Sequence, residues 1–203
     1  MDSPKSFLEF VNKFIPLTQD EFDELILPCV VTRTFEKKTI ITRLGEVEEY
    51  FNFINSGLAR LYYIDEKEEI NAEIAFEGQV IYSSESFHSR IPSEYIIETI
   101  EPCEMTAINY ECLERLYSSS KRMERLGRLV ITDIMVAKDK WQTQLIKLSP
   151  RERFLNFVMN NPELLQRVPQ KYLASYLNIK PETFSRFKHL IKEHVRKSYL
   201  ESI

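Results

Sequence analysis

Between Cys29 and Asn109 the chain reads as eight short runs rich in Val, Ile, Tyr, Phe and Thr, separated by polar turns. The runs are CVVTRTF, TIITRL, YFNFIN, LARLYYID, EEINAEIAF, QVIYS, YIIETIE and CEMTAIN. Such residues suit a pleated, half-buried surface. Runs this short and closely spaced predict a double-sheet jelly roll or a barrel. Gly45, Gly57 and Gly78 fall between runs, where a positive φ costs glycine least. With 203 residues the chain can bury a core without staples, as one large domain or two small ones.

Both flanks change to a helical period. Residues 3–28 read as helix, and Thr18 to Glu21 (TQDE) has the form of a capping box opening a short helix. From Tyr110 to Leu148 there is no proline; a short helix around ECLERLY precedes a long one beginning near Lys121. Leu126, Val130, Ile134, Ala137, Trp141, Leu145 and Leu148 trace one nearly straight stripe along it. A helix of about 28 residues spans roughly 42 Å. The stripe either packs on the β domain or pairs with its copy in a second chain; a dimerisation helix over 121–148 is the reading preferred.

Ser149-Pro150 then supplies an N-cap and a first-turn proline for a new helix. The division expected is 1–120, 121–148 and 149–203. In QKYLASYLNIKPETFSRFKH, residues 170–189, Leu173, Ala174 and Leu177 share a helical face. Asn178 tolerates a left-handed turn, and Phe184 and Phe187 point inward from a second helix that Pro181 begins. That is the spacing of a helix-turn-helix, whose second helix enters the major groove. Lys180, Glu182, Thr183, Arg186 and His189 are the candidate base contacts. Arg151, Lys171, Tyr172, Ser185, Lys188 and Lys192 are candidate phosphate contacts. Charge agrees: residues 1–120 hold 10 basic and 23 acidic side chains, net −13, and residues 121–203 hold 17 and 8, net +9. A basic half suits a polyanion.

Eight strands, a long helix and a C-terminal helix-turn-helix together resemble the Crp/Fnr family of bacterial transcription regulators. ITRLGEVEEYFNFINSGLARLYY is similar to the family's β-roll core, with Gly45 and Gly57 at its turns. PETFSRF is similar to the start of its recognition helix, where the residues matching Glu182 and Arg186 read bases. The resemblance implies an α+β chain: a cyclic-nucleotide-binding-type β-roll, a dimerisation helix and a winged helix-turn-helix. It also implies a homodimer on a near-palindromic DNA operator, and allows RNA polymerase and an unidentified small-molecule effector as partners.

Three departures are visible. The family's phosphate-binding cassette has a Gly-Glu pair and, further on, an Arg followed by a small hydroxyl residue. Here VIYSSESFHSRIPSEYIIETI places Ser83 and Glu85 in the first region and Ser93-Glu94 at the second, a degenerate cassette. A carboxylate at the phosphate position repels the ligand, and Arg90 is out of register, so a response to cyclic AMP is not expected. One cysteine before residue 100 cannot hold the iron–sulfur cluster of Fnr-type members. The wing is expected to be short or absent, since KEHVRKSYLESI reads as helix or tail.

Other classes fit poorly. G-x-S-x-G, P-loop, H-E-x-x-H and C-x-x-C motifs are absent, so no enzyme, metal site or cofactor is expected. Glu46, Glu48, Glu49, Glu66, Glu68 and Glu69 read as solvated turn carboxylates, and His88 as a surface residue. Cys29, Cys103 and Cys112 suit buried apolar roles in a reducing cytoplasm. No apolar run is long enough to span a membrane, and the N-terminus lacks the form of a secretory signal. The rival reading is a small-ligand-binding module whose C-terminal helices serve protein interaction.

Overall fold

The computed structural model describes residues 3–189. All eight strands form: β1 (Val30–Phe35), β2 (Ile40–Thr42), β3 (Tyr50–Ser56), β4 (Ala59–Asp65), β5 (Glu68–Ala75), β6 (Val80–Ile81), β7 (Ile96–Thr99) and β8 (Cys103–Asn109). They pair antiparallel in two four-stranded sheets, ordered β1-β8-β3-β6 and β2-β7-β4-β5. Because side chains alternate across a strand, Ile54, Ala59, Leu61, Ile81, Ile97 and Met105 meet between the sheets as one buried cluster. This is the jelly roll that the short runs predict. Gly57 joins β3 to β4 at φ 96°, and a Cβ there would meet the Pro102 carbonyl oxygen at 2.2 Å, so the turn admits only glycine.

Helices α1 (Ser3–Asn12) and α2 (Gln19–Leu25) cover the outer face of the first sheet, where Phe7 and Phe10 pack on Phe53 with ring centroids 5.3 and 4.9 Å away. The capping box at Thr18 and Glu21 forms in both directions. A 3₁₀ turn (Leu27–Cys29) leads into β1. Between β6 and β7 lies a helix the sequence did not announce, α3 (Ser84–Ser89), followed by α4 (Tyr110–Ser119) and α5 (Lys121–Lys147) after the roll.

The predicted dimer stripe turns inward. Leu126 and Val130 are buried in the cluster shared with α1, α2 and the roll, and Ile134 packs against it. Trp141 packs on the C-terminal helices, its ring stacked 4.3 Å from Tyr176. Leu145 is half-buried and Ala137 is exposed. Leu126, Val130, Ile134 and Trp141 of the stripe therefore pack on their own chain. Sequence spacing marks an apolar face without saying what it meets, and a nearby core takes it first. The face left open is a different one, with Met135 64% and Ile146 85% exposed and Val136 beside them. Met135 and Ile146 lie about three turns apart on one side of the helix.

Helix α6 (Pro150–Asn160) starts at Ser149 through a second capping box with Glu152. It is followed by α7 (Leu164–Arg167), α8 (Gln170–Tyr176) and α9, helical over 181–189 and beginning at Pro181. Phe154, Phe157, Leu173, Ala174, Leu177 and Phe184 form their core, and Leu58, Ile74 and Ile100 of the roll belong to the same cluster.

Candidate nucleic-acid interface

Helix α8 ends in a left-handed turn that its own backbone bonds require. Asn178 sits at φ 51°. Its N–H donates to the Ser175 carbonyl at 2.9 Å and the Ile179 N–H to the Ala174 carbonyl at 3.0 Å, which closes a Schellman motif. The Phe184 N–H then reaches the Lys180 carbonyl, the first bond of α9. Ala174 is fully buried, as a close helix crossing demands, and Phe154 meets the Phe184 ring edge-on at 5.1 Å.

A buried arginine that the sequence reading passed over holds this turn. Arg153 donates to the carbonyls of Leu177 and Asn178 at 2.9 Å, and to those of Leu145 and Leu148 at 3.0 and 2.9 Å. The last carbonyls of a helix lack intrahelical donors and carry its negative pole. One guanidinium thus caps the C-termini of α5 and α8 together.

The predicted base-contact side chains lie on α9 or, for Lys180, just before it. Lys180, Glu182, Arg186 and His189 are exposed, and Thr183 is half-buried. Arg186 donates to the Thr183 hydroxyl at 3.3 Å, and the His189 Nδ1 meets the Arg186 carbonyl. Arg151, Lys171, Ser185 and Lys188 are exposed as phosphate contacts need to be. Lys192 lies outside the described residues, as does the stretch on which the wing expectation rests.

Tyr172 is not available in that way. Its ring covers one side of the Arg60 guanidinium at 3.8 Å while Tyr62 covers another at 3.8 Å. Arg60 is 1% exposed. It bonds Glu98 at 2.5 Å, Glu69 at 2.8 Å and the Asn71 side-chain oxygen at 3.3 Å. Burial alone lowers an arginine's pKa; the carboxylates of Glu69 and Glu98 reverse that and raise it. Alongside, the Asn71 N–H donates to the Ser175 hydroxyl oxygen at 2.9 Å. Arg167 of α7 bridges Glu77 and Glu101 at 2.7 Å each. A tyrosine expected at DNA instead seats the helix-turn-helix on the outer face of β4 and β5.

The degenerate cassette is filled by the chain's own bonds. Ser83 and Ser93 are buried with their hydroxyls hydrogen-bonded at 2.9 Å, whereas Glu85 and Glu94 are exposed. Glu48, expected to be solvated, is 2% exposed beside them. Its carboxylate accepts from the Thr42 hydroxyl at 2.9 Å and from the N–H groups of Tyr50 and Ser83 at 3.1 and 3.3 Å. Burial pushes this carboxyl above its ordinary range against those donors. Arg90 is spent on the Glu48 carbonyl at 2.7 Å and on Glu49 at 2.6 Å, with its guanidinium 4.4 Å from the Tyr110 ring. His88 is exposed, 3.2 Å from the Tyr82 hydroxyl. Among the described residues no group of His, Cys, Asp and Glu is placed to hold a metal ion, and no helix is long and apolar enough to cross a membrane.

Residues 32–120 match the cyclic nucleotide-binding domain family. No curated protein matches the chain in sequence. Solved structures do match in fold. CLP, a c-di-GMP-responsive global regulator from Xanthomonas campestris, is 16% identical over 87% of this chain and 93% of its own, with a TM-score of 0.65. FixK2 from Bradyrhizobium japonicum is 18% identical over 83% and 86%, with a TM-score of 0.65. A protein from Eubacterium rectale, described as a transcriptional regulator of the Crp/Fnr family, is 17% identical over 90% and 88%, with a TM-score of 0.66. Residues 32–120 are thus similar to a cyclic nucleotide-binding domain, and the chain shares the fold of these solved structures, with helices C-terminal to the roll.

Proposed function

We propose that this chain is a homodimeric, sequence-specific DNA-binding transcription regulator of the Crp/Fnr type that does not respond to cyclic AMP. The observation that carries the reading is α9, an exposed helix whose first turns offer Glu182 and Arg186, set by a formed Schellman turn and the Arg153 clamp. Arginine bridges guanine O6 and N7, and glutamate accepts from cytosine N4. The functional division is residues 1–120 as sensor-like roll, 121–148 as dimer helix and 149–203 as DNA-binding unit. Dimerisation uses the open face at Met135, Val136 and Ile146.

Loss of the cyclic-nucleotide response follows from the cassette. The Ser83 and Ser93 hydroxyls and Arg90 already have partners, and a buried carboxylate stands next to them. A cyclic phosphate brought there meets the Glu48 carboxylate. The test is selection of binding sites from random duplex DNA by the full chain, with and without cyclic AMP. Enrichment of one near-palindrome, unchanged by the nucleotide, is the expected result. Failure to enrich any sequence refutes DNA readout, and enrichment only with cyclic AMP refutes the cassette reading.

A further inference from the structure

Two cysteines, 83 residues apart in sequence, meet beside the first sheet. β1 and β8 pair antiparallel with Val30 opposite Ile108. The residues just before β1 and just after β8 therefore emerge side by side. Cys29 closes the 3₁₀ turn, and Cys112 lies in the first turn of α4, its N–H donating to the Asn109 side chain at 2.8 Å. The Cys29 thiol donates to the Cys112 carbonyl oxygen at 3.6 Å, and both side chains pack against the same buried cluster. One turn on, Arg115 donates to the Cys112 sulfur at 2.7 Å. Both cysteines are half-buried and free. Cys103 differs: it is buried in the roll, with its thiol near the carbonyls of Leu58 and Glu101, and burial pushes it up to about 11.

We propose that Cys29 and Cys112 are a reversible thiol–disulfide site, closed by hydrogen peroxide and reopened by a dithiol. Cys112 attacks first, because its sulfur is the one in contact with a guanidinium, that of Arg115. Its thiolate displaces hydroxide from the peroxide, which leaves as water, and the sulfur becomes a sulfenic acid. The Cys29 sulfur then attacks the Cys112 sulfur, the S–S bond forms, and a second water leaves with the Cys29 proton. Two thiols lose two electrons and two protons, and one peroxide becomes two waters. Burial raises the Cys29 thiol, with Cys112 adding to the effect, which fits it as the second, resolving partner. The closed bond ties the 3₁₀ turn to α4, and only Ser120 separates α4 from α5. Oxidation thereby braces the root of the long helix.

The test uses the full reduced chain treated with hydrogen peroxide, digested without reductant and read by mass spectrometry. The expected product joins the Cys29 and Cys112 peptides, weighs about 2 Da less than the two thiols together, and is released by dithiothreitol. Cys103→Ser retains the link; Cys29→Ser abolishes it and leaves Cys112 trapped as a dimedone-reactive sulfenic acid. Arg115→Gln slows closure several-fold. Thiols that stay unlinked while peroxide is consumed, or links that run to Cys103 or between chains, overturn the proposal. Because the wild-type reading needs no variant, a misfolded substitution does not decide it.

Discussion

Arg153 shows how much of this chain rests on single side chains with several distant partners. Its guanidinium satisfies four carbonyls at two helix ends, and each buried acceptor left without a donor costs about 1–3 kcal/mol. Arg153→Met fills similar volume but offers no donor. It is expected to lower the unfolding free energy by about 3 kcal/mol in a denaturant titration. Wild-type stability in that variant would mean the clamp is incidental. Asn178 and Pro181 were legible because their chemistry is local: a left-handed turn and a helix start each follow from one residue's backbone preference. Arg153, Arg60 and Glu48 were not, because each has at least one partner in a distant segment: Leu177, Glu98 and Ser83. A charged residue's spacing does not tell whether it faces water or a buried partner. Tyr172 shows the same limit from the other side, since nothing local distinguishes a tyrosine on a phosphate from one on Arg60.

At the scale of elements, strands and helices were legible almost throughout, since each carries its own period. The exception is α3, six residues long, whose SESFHS has too few turns to establish one. Period does not show which element each face meets, and so the α5 stripe reads either as a cover for the β domain or as a dimer face, the latter preferred. The docking of the helix-turn-helix on the roll yields a pH prediction. Arg167 holds the Glu77 carboxyl below its ordinary value of 4.5, chiefly by hydrogen bonding. A carboxyl depressed in the folded state stabilises the fold above its unfolded value and loses that contribution as pH falls through the folded value. Arg167→Gln should therefore lower Tm near neutral pH by the equivalent of about 1 kcal/mol, since the pair is partly exposed. The gap to wild type should narrow as pH falls below 4.5, as thermal unfolding at several pH values would reveal. A gap constant with pH would remove the ion pair from the account.

For the whole molecule, the account needs two copies of α9 presented together. Met135, Val136 and Ile146 are the large exposed apolar side chains of α5. Ile146→Glu combined with Met135→Glu is expected to give a monomer in sedimentation, folded by circular dichroism, because neither side chain is part of a buried cluster. A double variant that stays dimeric would place the interface elsewhere. The dimer should recognise two half-sites about 10 bp apart, one helical turn, so that both recognition helices meet the same side of the duplex. The central claim is base reading by α9, and the most direct measurement is a competition titration of the selected site against single base-pair variants, for wild type and Arg186→Ala. The account predicts that wild type discriminates at one pair in each half-site by about 1–3 kcal/mol, and that Arg186→Ala loses discrimination at that pair alone. Equal binding of selected and scrambled DNA by the wild type, or an unaltered profile in Arg186→Ala, would contradict it.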